Sequence, residues 1–143
     1  NVIAARAVAI GDLRTLSKEQ LQKARETMRA VVAEGPLGQT EATLTFEDGY
    51  PSLPPTEGNA KLLAHYDRAS RDVGAGPVTA VSPDRAGAAD VSFLSGIVPN
   101  ILDGLGLMGH DDHSPSETAD LTTLPSQTKR AAILLYRLNR QGR

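Results

Sequence analysis

Thr40-Glu41-Ala42-Thr43-Leu44-Thr45-Phe46-Glu47 alternates without a break: Ala42, Leu44 and Phe46 share one parity, Glu41, Thr43, Thr45 and Glu47 the other. Period-two alternation of apolar and polar residues is the pattern of a half-buried antiparallel strand. Toward the N-terminus, Gly35-Pro36 closes a segment in which Leu21, Ala24, Met28, Val31 and Val32 fall on one helical face. Ser17 stands before it with Gln20 three residues on, a capping-box spacing that opens a helix expected to reach about Glu34. Earlier still, residues 1–14 place Val2, Ala4, Val8 and Ile10 on one parity, interrupted by Arg6, Asp12 and Arg14, and read as another strand. Residues 1–50 therefore read as strand, helix, strand: an antiparallel sheet layer with a helix on its apolar face.

Residues 48–57 hold Pro51, Pro54, Pro55 and Gly49, a loop that no sheet continues through. It marks the expected boundary between a unit over residues 1–50 and a second over residues 51–143. In the second unit, a helix is expected over residues 59–73, with Leu62, Leu63, Tyr66 and Ala69 inward and Gly74 as its stop. Short strands are expected over 77–81 and 97–102, a turn over 82–88 and a short helix over 90–95. A last helix follows Leu124-Pro125-Ser126, with Ala131, Leu134, Leu135 and Leu138 facing in and Arg137, Arg140 and Arg143 near its end, where cations suit the dipole. Alternating helix and short strand is the habit of an α/β domain.

Composition excludes several functions. The net charge of -2 leaves no electrostatic footprint for nucleic acid, and two Phe, three Tyr and no Trp leave no stacking platform for bases. The absence of Cys excludes disulfides, thiolate catalysis and Cys-ligated zinc, and it suits cytosol and periplasm alike. No apolar run is long enough to span a bilayer. The chain opens on the apolar Asn1-Val2-Ile3 without Met or a charged leader, and is expected to be a piece of a larger protein.

The chemistry-bearing residues concentrate in Asp103-Gly-Leu-Gly-Leu-Met-Gly-His-Asp-Asp-His-Ser-Pro-Ser-Glu117, where two imidazoles and four carboxylates share a glycine-rich stretch. Neutral imidazole is a good zinc ligand, and a neighbouring carboxylate can fix its tautomer. Such a loop also reads as a plain solvated turn. Gly104, Gly106 and Gly109 match the G-x-G-x-x-G spacing of dinucleotide sites, but His-Asp-Asp-His-Ser-Pro follows where a helix should begin. Arg85-Ala-Gly-Ala-Ala-Asp90 is a second candidate, since its small residues let a ligand approach the backbone; a tight turn capped by Asp90 is the simpler reading.

Together these segments resemble the C-terminal part of the M20 family of zinc metallopeptidases, the group of glutamate carboxypeptidase, acetylornithine deacetylase and succinyl-diaminopimelate desuccinylase. Residues 1–14, from Asn1 to Asp12 and Arg14, look like the family's Asn-x-x-Pro … Asp-x-Arg strand in the lid, or dimerisation, domain, with Ala4 in place of the Pro. Arg85-Ala-Gly-Ala-Ala-Asp90 is similar to its Gly-Gly-(Ser/Thr)-Asp turn, and His113-Ser-Pro-Ser-Glu117 to its His-Ser-x-x-Glu segment. The resemblance implies an α+β lid portion followed by the C-terminal part of an α/β zinc-peptidase catalytic domain. It makes His113, and not His110, the terminal ligand of one of two zinc ions. It links Asn1 and Arg14 to substrate recognition and sets Gly87, Ala88 and Asp90 beside the substrate carboxylate.

The implied reaction is hydrolysis of an amide bond in small peptides or N-acyl amino acids by a zinc-bridged water. The family's His-x-Asp strand, bridging Asp and general-base Glu pair have no counterpart in this sequence and are expected upstream, so the chain alone should be inactive. A homodimer through the lid is implied as well. The rival reading is a non-catalytic α+β dimerisation or interaction module. Glutamyl, acetyl and dipeptide substrates all suit the residues present.

Overall fold

Ser17 does what its spacing promised. In the computed structural model, which describes residues 2, 4–35, 38–85 and 89–141 (the backbone alone at 84 and 141), its hydroxyl accepts from Gln20 N at 3.2 Å and opens helix α1, Lys18–Ala33. The reciprocal contact is displaced by one residue, Gln20 Oε1 accepting from Leu16 N at 2.9 Å. Leu21, Ala24 and Val32 are half-buried, whereas Met28 and Val31 are exposed, so the helix covers a narrower stripe than its pattern implied. What it covers is the extended segment 40–48. Leu44 and Phe46 of that segment are half-buried, and the guanidinium groups of Arg25 and Arg29 each stand 5.1 Å from the Phe46 ring centroid. Arg25 also pairs with Asp48.

Burial along 40–47 follows the alternation at Leu44 and Phe46, although Ala42 is exposed, and no described strand runs alongside. The expected sheet over residues 1–50 is therefore not formed among the described residues. The segment before α1 leaves Val2, Val8 and Ile10 exposed; Asn1 lies outside the described residues. The reason is general: β-propensity describes how well a side chain fits a pleated surface, and without a neighbouring strand it makes no ladder. The expected strands at 77–81 and 97–102 fail likewise. Only an isolated bridge, Ser95 with Val98, and the buried Ile101 mark the second.

Helix α2, Glu57–Asp72, starts two residues before its expected first residue because Thr56 caps it, accepting from Asn59 N at 3.0 Å. It ends as expected at Gly74, with φ 71°, where Gly74 N donates to Arg71 O and Ala75 N to Ser70 O, both at 3.0 Å. That paired closure is the Schellman motif, which asks for a left-handed residue at this position. Helix α3, Leu124–Gln141, packs against α2, and Tyr66, Ala69, Leu134 and Ile101 form the buried apolar centre. Leu135, expected inward, is exposed; Ala131, Ile133 and Leu138 carry the face beside Leu134.

Polar bonds fasten this seam. Buried Gln127 accepts from Tyr66 Oη at 3.3 Å and from Arg130 at 2.8 Å, and Arg130 donates on to Ala75 O at 2.8 Å. Arg137 reaches Asp72 at 2.6 Å, so this cation serves an ion pair between helices, beyond the dipole of its own. Asn59 Oδ1 accepts from Ile101 N at 2.7 Å and ties the following segment to α2. The remaining elements are 3-10 turns at Pro83–Arg85, Asp90–Leu94 and Leu121–Thr123, and a small antiparallel hairpin of β1, Gly109–His110, with β2, Thr118–Ala119. The fold is thus a mixed α+β arrangement dominated by helices.

Two substitutions separate the seam from the surface. Leu134→Ala should cost about 2–5 kcal/mol of stability, because a buried Leu is replaced by a cavity, while Leu135→Ala should stay within about 0.5 kcal/mol. Thermal denaturation followed by circular dichroism reads both. Asp67 gives a pH test: its carboxylate accepts from Val78 N at 2.7 Å and from Arg71 Nε at 2.9 Å, and these bonds, the Val78 bond foremost, hold it below the usual aspartate range. A depressed folded value means the stabilisation is complete above the ordinary aspartate range and is lost as pH falls through the folded value. The drop in melting temperature from neutral to strongly acidic pH should therefore be smaller in Asp67→Asn than in the parent chain.

Candidate functional site

The hairpin that carries both loop histidines hangs from the start of α3. Asp120 N donates to Met108 O at 2.8 Å, and Met108 N donates to Thr123 Oγ1 at 3.2 Å, which closes the base of the hairpin. Asp120 also caps the Leu121–Thr123 turn, its Oδ1 accepting from Thr122 N at 2.9 Å and Thr122 Oγ1 at 2.6 Å. These bonds, the side-chain one first, hold the Asp120 carboxyl below its ordinary range, with a smaller contribution from the charge of His110. His110 is consequently a neighbour of the cap and pairs with Thr118 across the hairpin.

Between the strands, residues 111–117 form a loop of exposed residues held by Ser114 N to Asp111 O and Glu117 N to Ser114 O, both at 3.1 Å. Asp111 and His113 adopt φ of 59° and 64°. A left-handed conformation is unfavourable for a residue with a Cβ, and side chains held in one recur at functional sites. His113 thus stands on a left-handed loop position, with no hydrogen-bond partner among the described residues.

The donors for a metal do not assemble here. A zinc site takes three or four protein ligands, and among the described residues no group of three or more His, Asp or Glu side chains is placed to hold an ion. His113 with its loop carboxylates does not by itself fit the dinuclear centre that the resemblance implies.

The expected substrate residues are dispersed. Arg14 makes a local pair with Asp12 at 2.6 Å, both side chains well exposed, and no hydrogen bond or ion pair joins it to Asp90 or His113 among the described residues. Asn1, Gly87 and Ala88 lie outside the described residues. Asp90 opens its 3-10 turn as expected and accepts from Tyr50 Oη at 2.9 Å. That partner went unread in the sequence because Tyr50 sits in the proline loop, where the only available signal was an aromatic among turn residues. A shallow surface hollow is lined by His65, Asp67, Arg68, Arg71 and Asp72 of α2, apart from all of these.

No curated protein and no solved structure matches the chain. The sequence model of peptidase family M20/M25/M40 does match it, over residues 3–137, a span that takes in Arg14, Asp90 and His113 together, and on that match the chain belongs to this peptidase family.

Proposed function

We propose that this chain is the C-terminal portion of a zinc-dependent M20-type amidohydrolase or carboxypeptidase that hydrolyses amide bonds of small peptides or N-acyl amino acids. The family match over residues 3–137 carries the reading. Within it, residues 1–50 belong to a lid and residues 51–143 to the catalytic domain. His113 supplies one metal ligand, and its left-handed loop position supports that assignment. Arg14, Asp90 and the flanking Asn1, Gly87 and Ala88 serve substrate recognition. One imidazole is too few donors for zinc, so the remaining ligands and the general base come from residues outside this sequence.

In the enzyme containing this chain, His113→Ala should lower kcat/KM by at least about a hundredfold, while His110→Ala should stay within about threefold, as expected for loss of a ligand against loss of a loop side chain. Metal content by mass spectrometry should fall in the first variant alone, with circular dichroism unchanged in both. A fully metallated, active His113→Ala enzyme would remove the assignment.

Association is the second part of the proposal: the lid portion forms a homodimer. Val2, Val8 and Ile10 are exposed before α1, and Met28 and Val31 along it. Exposed apolar side chains of this kind are available for burial against a second chain. Sedimentation of the chain at micromolar concentration should show a dimer that Ile10→Lys dissociates. A single monomeric species would refute the interface.

A further inference from the structure

Tyr50 and Asp90 are 40 residues apart in sequence, yet the Tyr50 hydroxyl donates to Asp90 Oδ1 at 2.9 Å. The same side chain meets Phe93, with ring centroids 5.2 Å apart and planes at 54°, a tilted geometry that aromatic quadrupoles favour. One residue of the proline loop therefore grips two positions of the Asp90–Leu94 turn. That turn is closed on itself: Ser92 N donates to Ala89 O at 2.8 Å, Ala89 N donates to Ser92 Oγ at 3.2 Å, and Ser92 is 1% exposed. A grip on Asp90 and Phe93 is thus a grip on the turn as a unit.

The charge of Asp90 poses a physical problem for the proposed function, because the family resemblance sets this turn beside a substrate carboxylate. Two carboxylates in proximity repel, and salt screens the repulsion where the charges are exposed, as that of Asp90 is. We propose that Tyr50 is a positioning residue for carboxylate-bearing substrates: its hydroxyl engages the Asp90 carboxylate, and its ring on Phe93 fixes where that engagement occurs, so that the negative charge of Asp90 is kept away from the substrate's own. The inference rests on the placement of the Asp90 turn in the substrate site. The hydrogen bond to Asp90, followed by the charge of the same carboxylate, pushes the Tyr50 phenol up from its ordinary value, so the hydroxyl stays a donor throughout the neutral range.

Tyr50→Phe removes the hydroxyl and keeps the ring. In the enzyme containing this chain, assayed on the best-cleaved member of a panel of N-acetyl amino acids and dipeptides, KM should rise about threefold to tenfold, as for loss of one hydrogen bond. kcat should change by less than about twofold, since the lost contact concerns substrate binding rather than the reacting bond. The KM defect should vanish in an Asp90→Asn background and shrink at about 0.5 M salt, because it is a repulsion between charges; a merely structural role for Tyr50 would give neither result. The chain itself offers a separate readout: with three Tyr and no Trp, phenolate absorbance should show one tyrosine ionising at lower pH in Asp90→Asn than in the parent chain.

Wild-type KM in Tyr50→Phe, beside an Asp90→Arg variant whose KM does change, would overturn the positioning role and leave the proposed function standing. Unchanged KM in both would show that the turn lies away from the substrate. A tyrosine titration indifferent to Asp90→Asn would refute the hydrogen bond on which the inference is built.

Discussion

The contact of α2 with α3 anchors the buried centre of residues 51–141, and it is held by a relay of polar groups as much as by its apolar centre. Few side chains are buried at the seam, so packing alone leaves the two helices room to slide. Tyr66, Gln127, Arg130 and the Ala75 carbonyl reduce that freedom, because a shift of one turn would part Gln127 from Tyr66 and Arg130 from the Ala75 carbonyl, leaving only the Gln127–Arg130 bond within α3. Several segments of residues 51–141 are then referred to this pair. Asn59 brings Ile101 to α2, Asp67 and Ser70 hold Val78 and Gly76 against it, and the base of α3 carries the histidine hairpin through Asp120 and Thr123.

The segment around α1 obeys different physics. The helix has no buried residue, and its strongest contacts are two guanidinium groups on one phenyl ring and an ion pair with Asp48. Cation–π contacts at exposed positions contribute about 0.5–1 kcal/mol each, and exposed ion pairs less still. These interactions orient the helix against residues 40–48 without supplying a core.

Local signals in the sequence translated faithfully where the chain itself contains both partners of an interaction. The Ser17 cap, the Gly74 stop, the inward face of Leu62, Leu63, Tyr66 and Ala69, and the short helical turn at Asp90 each depend on residues a few positions apart. Strands depend on a neighbour that no local pattern guarantees, and among the described residues none of the four expected strands pairs with another strand, while the hairpin that did form has strands too short to show any periodicity. Leu135 misled because four leucine-class positions on α3 exceed the width of one buried stripe. For the site, the loop of His113 was legible from composition and from its His-Ser-x-x-Glu run. The Tyr50–Asp90 and Tyr66–Gln127 bonds were not, since each joins residues 40 or more apart with no motif to announce the pairing.

At Gly109 a Cβ would overlap the carbonyl oxygen of Thr118, its diagonal neighbour across the hairpin. Sliding either strand by one position would drive the Met108 or His110 side chain into that oxygen. Gly109 therefore pins the register at the base of the hairpin, while residues 111–117 are constrained separately, by the left-handed positions of Asp111 and His113 and by the metal-binding role proposed for His113. Over evolutionary time glycine should therefore persist at position 109, and the loop that carries His113 should be inherited together with the register that this glycine permits.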